Sequence, residues 1–321
     1  MGALSSPEPT LDVLRPSLPA CVQERCVVVL MDASPAAANA AWRAALLARD
    51  RAAPLHLLHV RADARGPDDT GALLRELANQ LQQRLHVAAS AGAVAGKPRE
   101  ALAGLSGRAG LVVLPAARGK LWPDLFLGSL AERIQRALPL PLLVVRRPAF
   151  SSYRRVLVPV KLDGDAVRLI AAARSVSRDP RMRVFHVLDA AQDGSIRLAG
   201  ASERTVRMQQ HRHTRTAYAA LNELITRAGA HEQGAAALVS RGHVPTRVLE
   251  IARSGNAQLI VLGKERRSLL ADLLFGGVTR RLLADADTDV LVLPVEDGSR
   301  VPERDVLGWH FDPARAPHGR S

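Results

Sequence analysis

The sequence predicts an α/β protein built as two tandem parallel-sheet α/β sandwich domains. Three observations predict it. The chain has 321 residues, a length that suits about two domains. Its apolar segments recur twice in the same order. Those segments are continuous apolar runs rather than alternating ones, as expected of central strands covered by helices on both faces.

The repeat is legible residue by residue. Cys26-Val-Val-Val-Leu-Met-Asp32 parallels Arg155-Val-Leu-Val-Pro-Val-Lys161, and His59-Val60 parallels His186-Val187. Pro98 parallels Pro245, each opening a short helix. Leu111-Val-Val-Leu114 parallels Leu259-Ile-Val-Leu262, Leu127-Gly128-Ser129 parallels Phe275-Gly276-Gly277, and Leu142-Leu-Val-Val145 parallels Val290-Leu-Val-Leu293. The offset is 127 to 129 positions early and 147 to 148 late. Its change locates an insertion of 20 residues around Ala190 to Arg215, a polar stretch read as a loop plus a longer second helix.

Each repeat reads as strand, helix, strand, helix, helix, strand, helix, strand. Ser34-Pro35 is a helix start, with serine as N-cap and proline at the first helical position. Leu73, Leu74, Leu77, Leu81 and Leu85 fall on one helical face and are assigned to the core. The boundaries follow: a tail over 1–24, a first domain over 25–147, a linker over 148–153, a second domain over 154–295 and a tail over 296–321. Trp309 and Phe311 give the last tail apolar groups that could dock on the body, while Pro302, Pro313 and Pro317 argue against a long helix there. The final strands of the two repeats would be exposed apolar edges if left unpaired. They are therefore expected to meet within the chain, which makes it a dimer-like monomer.

Composition bounds the function. Hydrophobic residues make up 47%, so the chain folds, and aromatics only 3%, so aliphatic side chains fill the cores. The formal charge of +13 comes almost wholly from arginine, since Lys97, Lys120, Lys161 and Lys264 are the only lysines. That bias, with abundant alanine, fits a GC-rich coding sequence. It argues against a nucleic-acid partner, and the arginines are expected to be dispersed over helix faces. Cys21 and Cys26 form no CxxC pair and read as reduced thiols. No segment reads as a secretory signal or a membrane span. A cytoplasmic protein with no membrane partner is expected.

In doubly wound sheets ligands bind beyond the carboxyl ends of the strands, where a helix N-terminus offers N–H groups to phosphate. Two segments carry the spacing for this: Pro115-x2-Arg118-x9-Gly128-Ser129 and Gly263-x2-Arg266-x9-Gly276-Gly277. With Asp32 at the end of the first strand, the chain resembles the universal stress protein family twice over, across about residues 25–147 and 154–295. The resemblance implies a Rossmann-like fold and, in the ATP-binding members, a Gly-x2-Gly-x9-Gly-Ser/Thr cradle for the phosphates. It carries Asp32, Val60, Arg118, Gly128 and Ser129 over as candidate ligand residues in repeat one, and Gly263, Arg266, Gly276 and Gly277 in repeat two.

The departures from that pattern matter. Lys161 stands where repeat one has Asp32, and it cannot accept hydrogen bonds from ribose or adenine. Pro115 removes an N–H, and Arg118 and Arg266 both replace a glycine with a bulky cation. Repeat two is therefore expected not to bind ATP in the family manner, and repeat one to bind it weakly or not at all.

Other chemistry is weak. His56 and His59 face opposite sides of one strand. His211 and His213 lie about 200° apart on a helix, so neither pair chelates a metal. Ser129 lacks a nucleophile elbow, and Gly96-Lys97 lacks the rest of a P-loop. The leading expectation is a stress-response protein that acts by binding a ligand or a protein partner, with no catalysis and no required cofactor. The alternatives are an ATP-binding, slowly hydrolysing module in repeat one and a nucleic-acid-associated basic protein.

Overall fold

A computed structural model describes residues 26–32, 34–61, 69–96, 100–101, 109–116, 140–176, 180–188, 202–265 and 277–295. Ten strands form one sheet: β1 (Cys26–Met31), β2 (Leu55–Arg61), β3 (Ala89–Ala95), β4 (Ala109–Pro115), β5 (Leu142–Val145), β6 (Arg155–Pro159), β7 (Arg181–Leu188), β8 (Ala236–Arg241), β9 (Leu259–Glu265) and β10 (Asp289–Val295). Six helices are described: α1 (Pro35–Arg51), α2 (Asp69–Leu85), α3 (Asp165–Arg174), α4 (Glu203–Arg227), α5 (Val244–Ser254) and α6 (Gly277–Asp285).

The strand order is β3-β2-β1-β4-β5-β10-β9-β6-β7-β8. Every neighbouring pair is parallel except β5 and β10. The order is thus one five-strand pattern followed by its own reversal, as an approximate twofold through the central pair requires. At that seam Val144 pairs with Val290, Leu143 with Leu291 and Leu142 with Val292. The two apolar last strands cover each other's edges, as the sequence predicts.

Alternation along the strands builds two core layers. Val27, Val29 and Met31 of β1 face one layer, and Cys26, Val28 and Leu30 face the other. Each fully buried Val or Leu contributes about 1.5–3 kcal/mol. Ala37, Ala40, Ala41, Ala44, Ala45 and Ala48 of α1 are all buried. Small side chains let that helix lie close to the sheet, which is how a chain so poor in aromatics closes its core. Ser34 caps α1 by accepting from the Ala37 N–H at 3.1 Å, with Pro35 at the first turn, as read from the sequence.

Two readings need correction. The edge strands β3 and β8 are absent from the sequence-based element order. Their sequences, Ala-Ser-Ala-Gly-Ala-Val-Ala and Ala-Ala-Leu-Val-Ser-Arg, are largely small and polar, and both strands are only partly buried. Leu73 leaves the predicted core stripe. It is 64% exposed, while Leu74 and Leu81 are buried with Ala78. Residues 148–153, the expected linker, form a pinned strap. Arg43 donates to the Ser151 and Pro148 carbonyls at 2.6 and 3.2 Å, and Asn39 bonds the Arg147 carbonyl and the Ala149 N–H, both at 2.9 Å. Among the described residues no helix is long and apolar enough to cross a membrane.

Candidate functional site

The carboxyl ends of β1, β2 and β4 converge on one rim in repeat one. Asp32 follows β1 directly and is only 6% exposed. Its Oδ1 accepts from the Ser34 N–H at 3.1 Å and from the Ser34 hydroxyl. Ser34 in turn caps α1, so the start of the helix fixes the carboxylate, and Oδ2 has no such bond to Ser34. The β1–β2 ladder ends at Met31 with His59. Val60 therefore lies one residue past it, buried and still paired with Val94 of β3. Pro115 ends β4, and the next residue, Ala116, donates its N–H to the Val145 carbonyl at 2.8 Å.

A histidine locks each rim. His59 Nδ1 lies 2.8 Å from the Met31 carbonyl, and His186 Nδ1 lies 3.0 Å from the Val160 carbonyl. A carbonyl only accepts, so Nδ1 carries a proton in both. The matched sequence pair His59 and His186 is thus one structural device used twice. His56 is different: it is buried, bonds Ser90 at 2.9 Å through Nδ1, and burial lowers its pKa.

The rim of repeat two is built otherwise. Lys161 occupies the place of Asp32 and is exposed. The cap is missing as well, since α3 starts from Gly164 with no side-chain bond to its first turn. Gly263 lies inside β9, paired with Leu293, without left-handed backbone. Gly277 is the first residue of α6. Arg118, Gly128, Ser129, Arg266 and Gly276 lie outside the described residues, so only Asp32 and Val60 are seen together at a rim.

A cavity of about 870 Å³ opens beside the repeat-one rim, across the seam. Ala36, Asn39, Ala116 and Val145 line one side, and Arg253 and Asp287 are on the other. Its cations are partly neutralised already, with Arg253 3.1 Å from Asp287 and Arg281 3.4 Å from Asp285. It is a mixed-charge cleft. Among the described residues no group of three His, Cys, Asp or Glu side chains could hold a metal.

Fold and rims together define a tandem, doubly wound α/β protein with one rim of strand carboxyl ends per repeat. The chain belongs to the universal stress protein family, whose profile matches residues 25–146 and 152–294. Among solved structures it is similar to a universal stress protein from Archaeoglobus fulgidus DSM 4304, with 14% identity, a TM-score of 0.59 and coverage of 85% of this chain and 99% of that one. It is also similar to a functionally unknown protein from Pseudomonas aeruginosa PAO1, with 20% identity, a TM-score of 0.58 and coverage of 86% and 94%. A putative universal stress protein from Pseudomonas aeruginosa UCBPP-PA14 matches at 19% identity, a TM-score of 0.57 and coverage of 86% and 95%. At these identities the likeness is one of fold. No curated protein matches the chain significantly.

Proposed function

We propose that this chain is a cytoplasmic stress-response protein that acts by binding, without catalysis, and that repeat one carries the ligand rim. The observation that carries the reading is the contrast between Asp32 and Lys161. Asp32 is a buried carboxylate held in place by Ser34, while its counterpart is an exposed cation. A fixed carboxylate can accept from ribose hydroxyls or an adenine amine at little ordering cost, whereas a lysine can accept from neither.

The second reading, an ATP-binding module in repeat one with slow hydrolysis, draws on the same carboxylate. Arg118 decides between the two readings: folded inward it fills the phosphate position, and swung outward it clamps a phosphate. Equilibrium dialysis with radiolabelled ATP on wild type and Arg118→Gly separates them. The binding-only reading expects weak retention by wild type and a gain on Arg118→Gly. Tight retention by wild type that falls in Arg118→Gly, together with phosphate release, supports the second reading instead.

A further inference from the structure

The inserted segment of repeat two carries an unassigned charged surface. Helix α4 has 25 residues against 17 in its counterpart α2. Arg241, the last residue of β8, reaches the Gln210 carbonyl at 2.6 Å and the Thr214 hydroxyl at 3.3 Å. The two turns before Gln210 therefore extend past the carboxyl end of the sheet. Their inner side is covered, since Val206 is 1% exposed.

The outer side is cationic. Arg204, Arg207, His211, Arg212 and Arg215 are all exposed. At 100° per residue they fall within an arc of about 140° and span roughly 16 Å. None of these four arginines has an ion pair or hydrogen bond among the described residues. No acidic residue occurs from Arg204 to Arg215. The matching outer face of α2 is mixed, with Arg75, Glu76, Gln80 and Gln83. The expected dispersal of arginine thus fails at this helix. A coding bias acting on the whole chain would enrich both helices, so it does not explain a difference between them.

We propose that this face of α4 docks an acidic helical segment of a partner protein. Like charges three and four residues apart repel one another until a partner neutralises them. Arg204, Arg207, His211 and Arg215 follow one another along the face at steps of three and four residues, with Arg212 beside them. A single file of carboxylates on an adjacent helix has the same three- and four-residue spacing, and each guanidinium can take a carboxylate with two parallel bonds. A helix in a duplex groove instead meets phosphates with its two flanks. Met208 is the only apolar side chain exposed on the face, and no aromatic lies between Arg204 and Arg215, which disfavours lipid insertion and base stacking.

The test uses the full chain and fluorescence anisotropy at physiological salt. The probe is a labelled alanine-based helical peptide with glutamates at i, i+3, i+7 and i+11. Wild type is expected to bind it, and the quadruple variant Arg204→Gln, Arg207→Gln, Arg212→Gln, Arg215→Gln to lose about tenfold or more. The matching quadruple Arg→Lys variant keeps the charge but loses the paired guanidinium bonds, and is expected to bind between wild type and the glutamine variant. Equal binding by wild type and the glutamine variant overturns the proposal. So does a lysine variant that falls as far as the glutamine one, or tighter binding by wild type to a duplex DNA or an anionic vesicle than to the peptide.

Discussion

The hydroxyl of Tyr153 donates to Oδ2 of Asp289 at 2.5 Å, across 136 residues of chain, and both side chains are fully buried. Asp289 opens β10 in repeat two, and Tyr153 ends the strap that leaves repeat one. The other carboxylate oxygen accepts from the N–H groups of Arg146 and Arg147, at 2.7 Å each. Arg43 of α1 completes the cluster, with Nε 3.4 Å from Oδ2 and its guanidinium 4.2 Å from the centre of the Tyr153 ring. One carboxylate therefore ties the first helix, the strap and the last strand together.

Removing its charge strands Arg43 in the interior. Asp289→Asn is expected to cost about 3–5 kcal/mol, because a buried cation loses its partner. Tyr153→Phe removes one hydrogen bond to a charged group and is expected to cost about 1.5–3 kcal/mol. Urea denaturation of each variant measures both. Losses below about 0.5 kcal/mol would mean that the seam is held by the β5–β10 pairing alone.

The same cluster sets an alkaline limit. Burial first, and the Asp289 carboxylate second, raise the pKa of Tyr153 well above its ordinary value of 10.0, with Arg43 opposing. A group whose folded pKa is raised lends its full stability below the unfolded value and loses it as pH climbs toward the folded one. Wild type should therefore lose stability above about pH 10 faster than Tyr153→Phe does. Parallel melting curves for the two proteins across that range would refute the assignment.

Helix α1 ends on a residue that its backbone does not favour. Ala52 sits at φ 50°, in the left-handed region, as the C-cap, with its N–H bonded to the last turn. Glycine takes that conformation without the Cβ clash. Ala52→Gly is expected to raise stability by about 1 kcal/mol, read as a higher urea midpoint at unchanged slope. A lower midpoint would show that the alanine methyl matters more to packing than its backbone costs.

The central part of this architecture was legible because it rests on local signals. Runs such as Val27-Val28-Val29 and Leu142-Leu143-Val144-Val145 announce strands covered on both faces, and the order of segments announces the repeat. The last strands could be matched because unpaired apolar edges are unfavourable. The edges β3 and β8 were not legible, since half-exposed strands need little apolar sequence. Nor was the Arg43–Tyr153–Asp289 cluster, whose members are ordinary residues until the fold brings them together. At the site, Asp32 and Val60 followed from the resemblance to the universal stress protein family. The linking role of Ser34 and the locking of both rims by His59 and His186 depend on side-chain geometry that no spacing encodes.

The most direct test of the unequal rims is titration calorimetry with ATP on wild type, Asp32→Asn and Lys161→Glu. Asparagine keeps an oxygen for Ser34 but replaces the other carboxylate oxygen with a donor, so the helix cap survives while the ligand acceptor is lost. The account predicts weak, single-site binding to wild type. It predicts a loss of roughly tenfold or more in Asp32→Asn. It also predicts an unchanged isotherm for Lys161→Glu. Binding that survives Asp32→Asn and responds to Lys161→Glu would place the ligand on repeat two and contradict it.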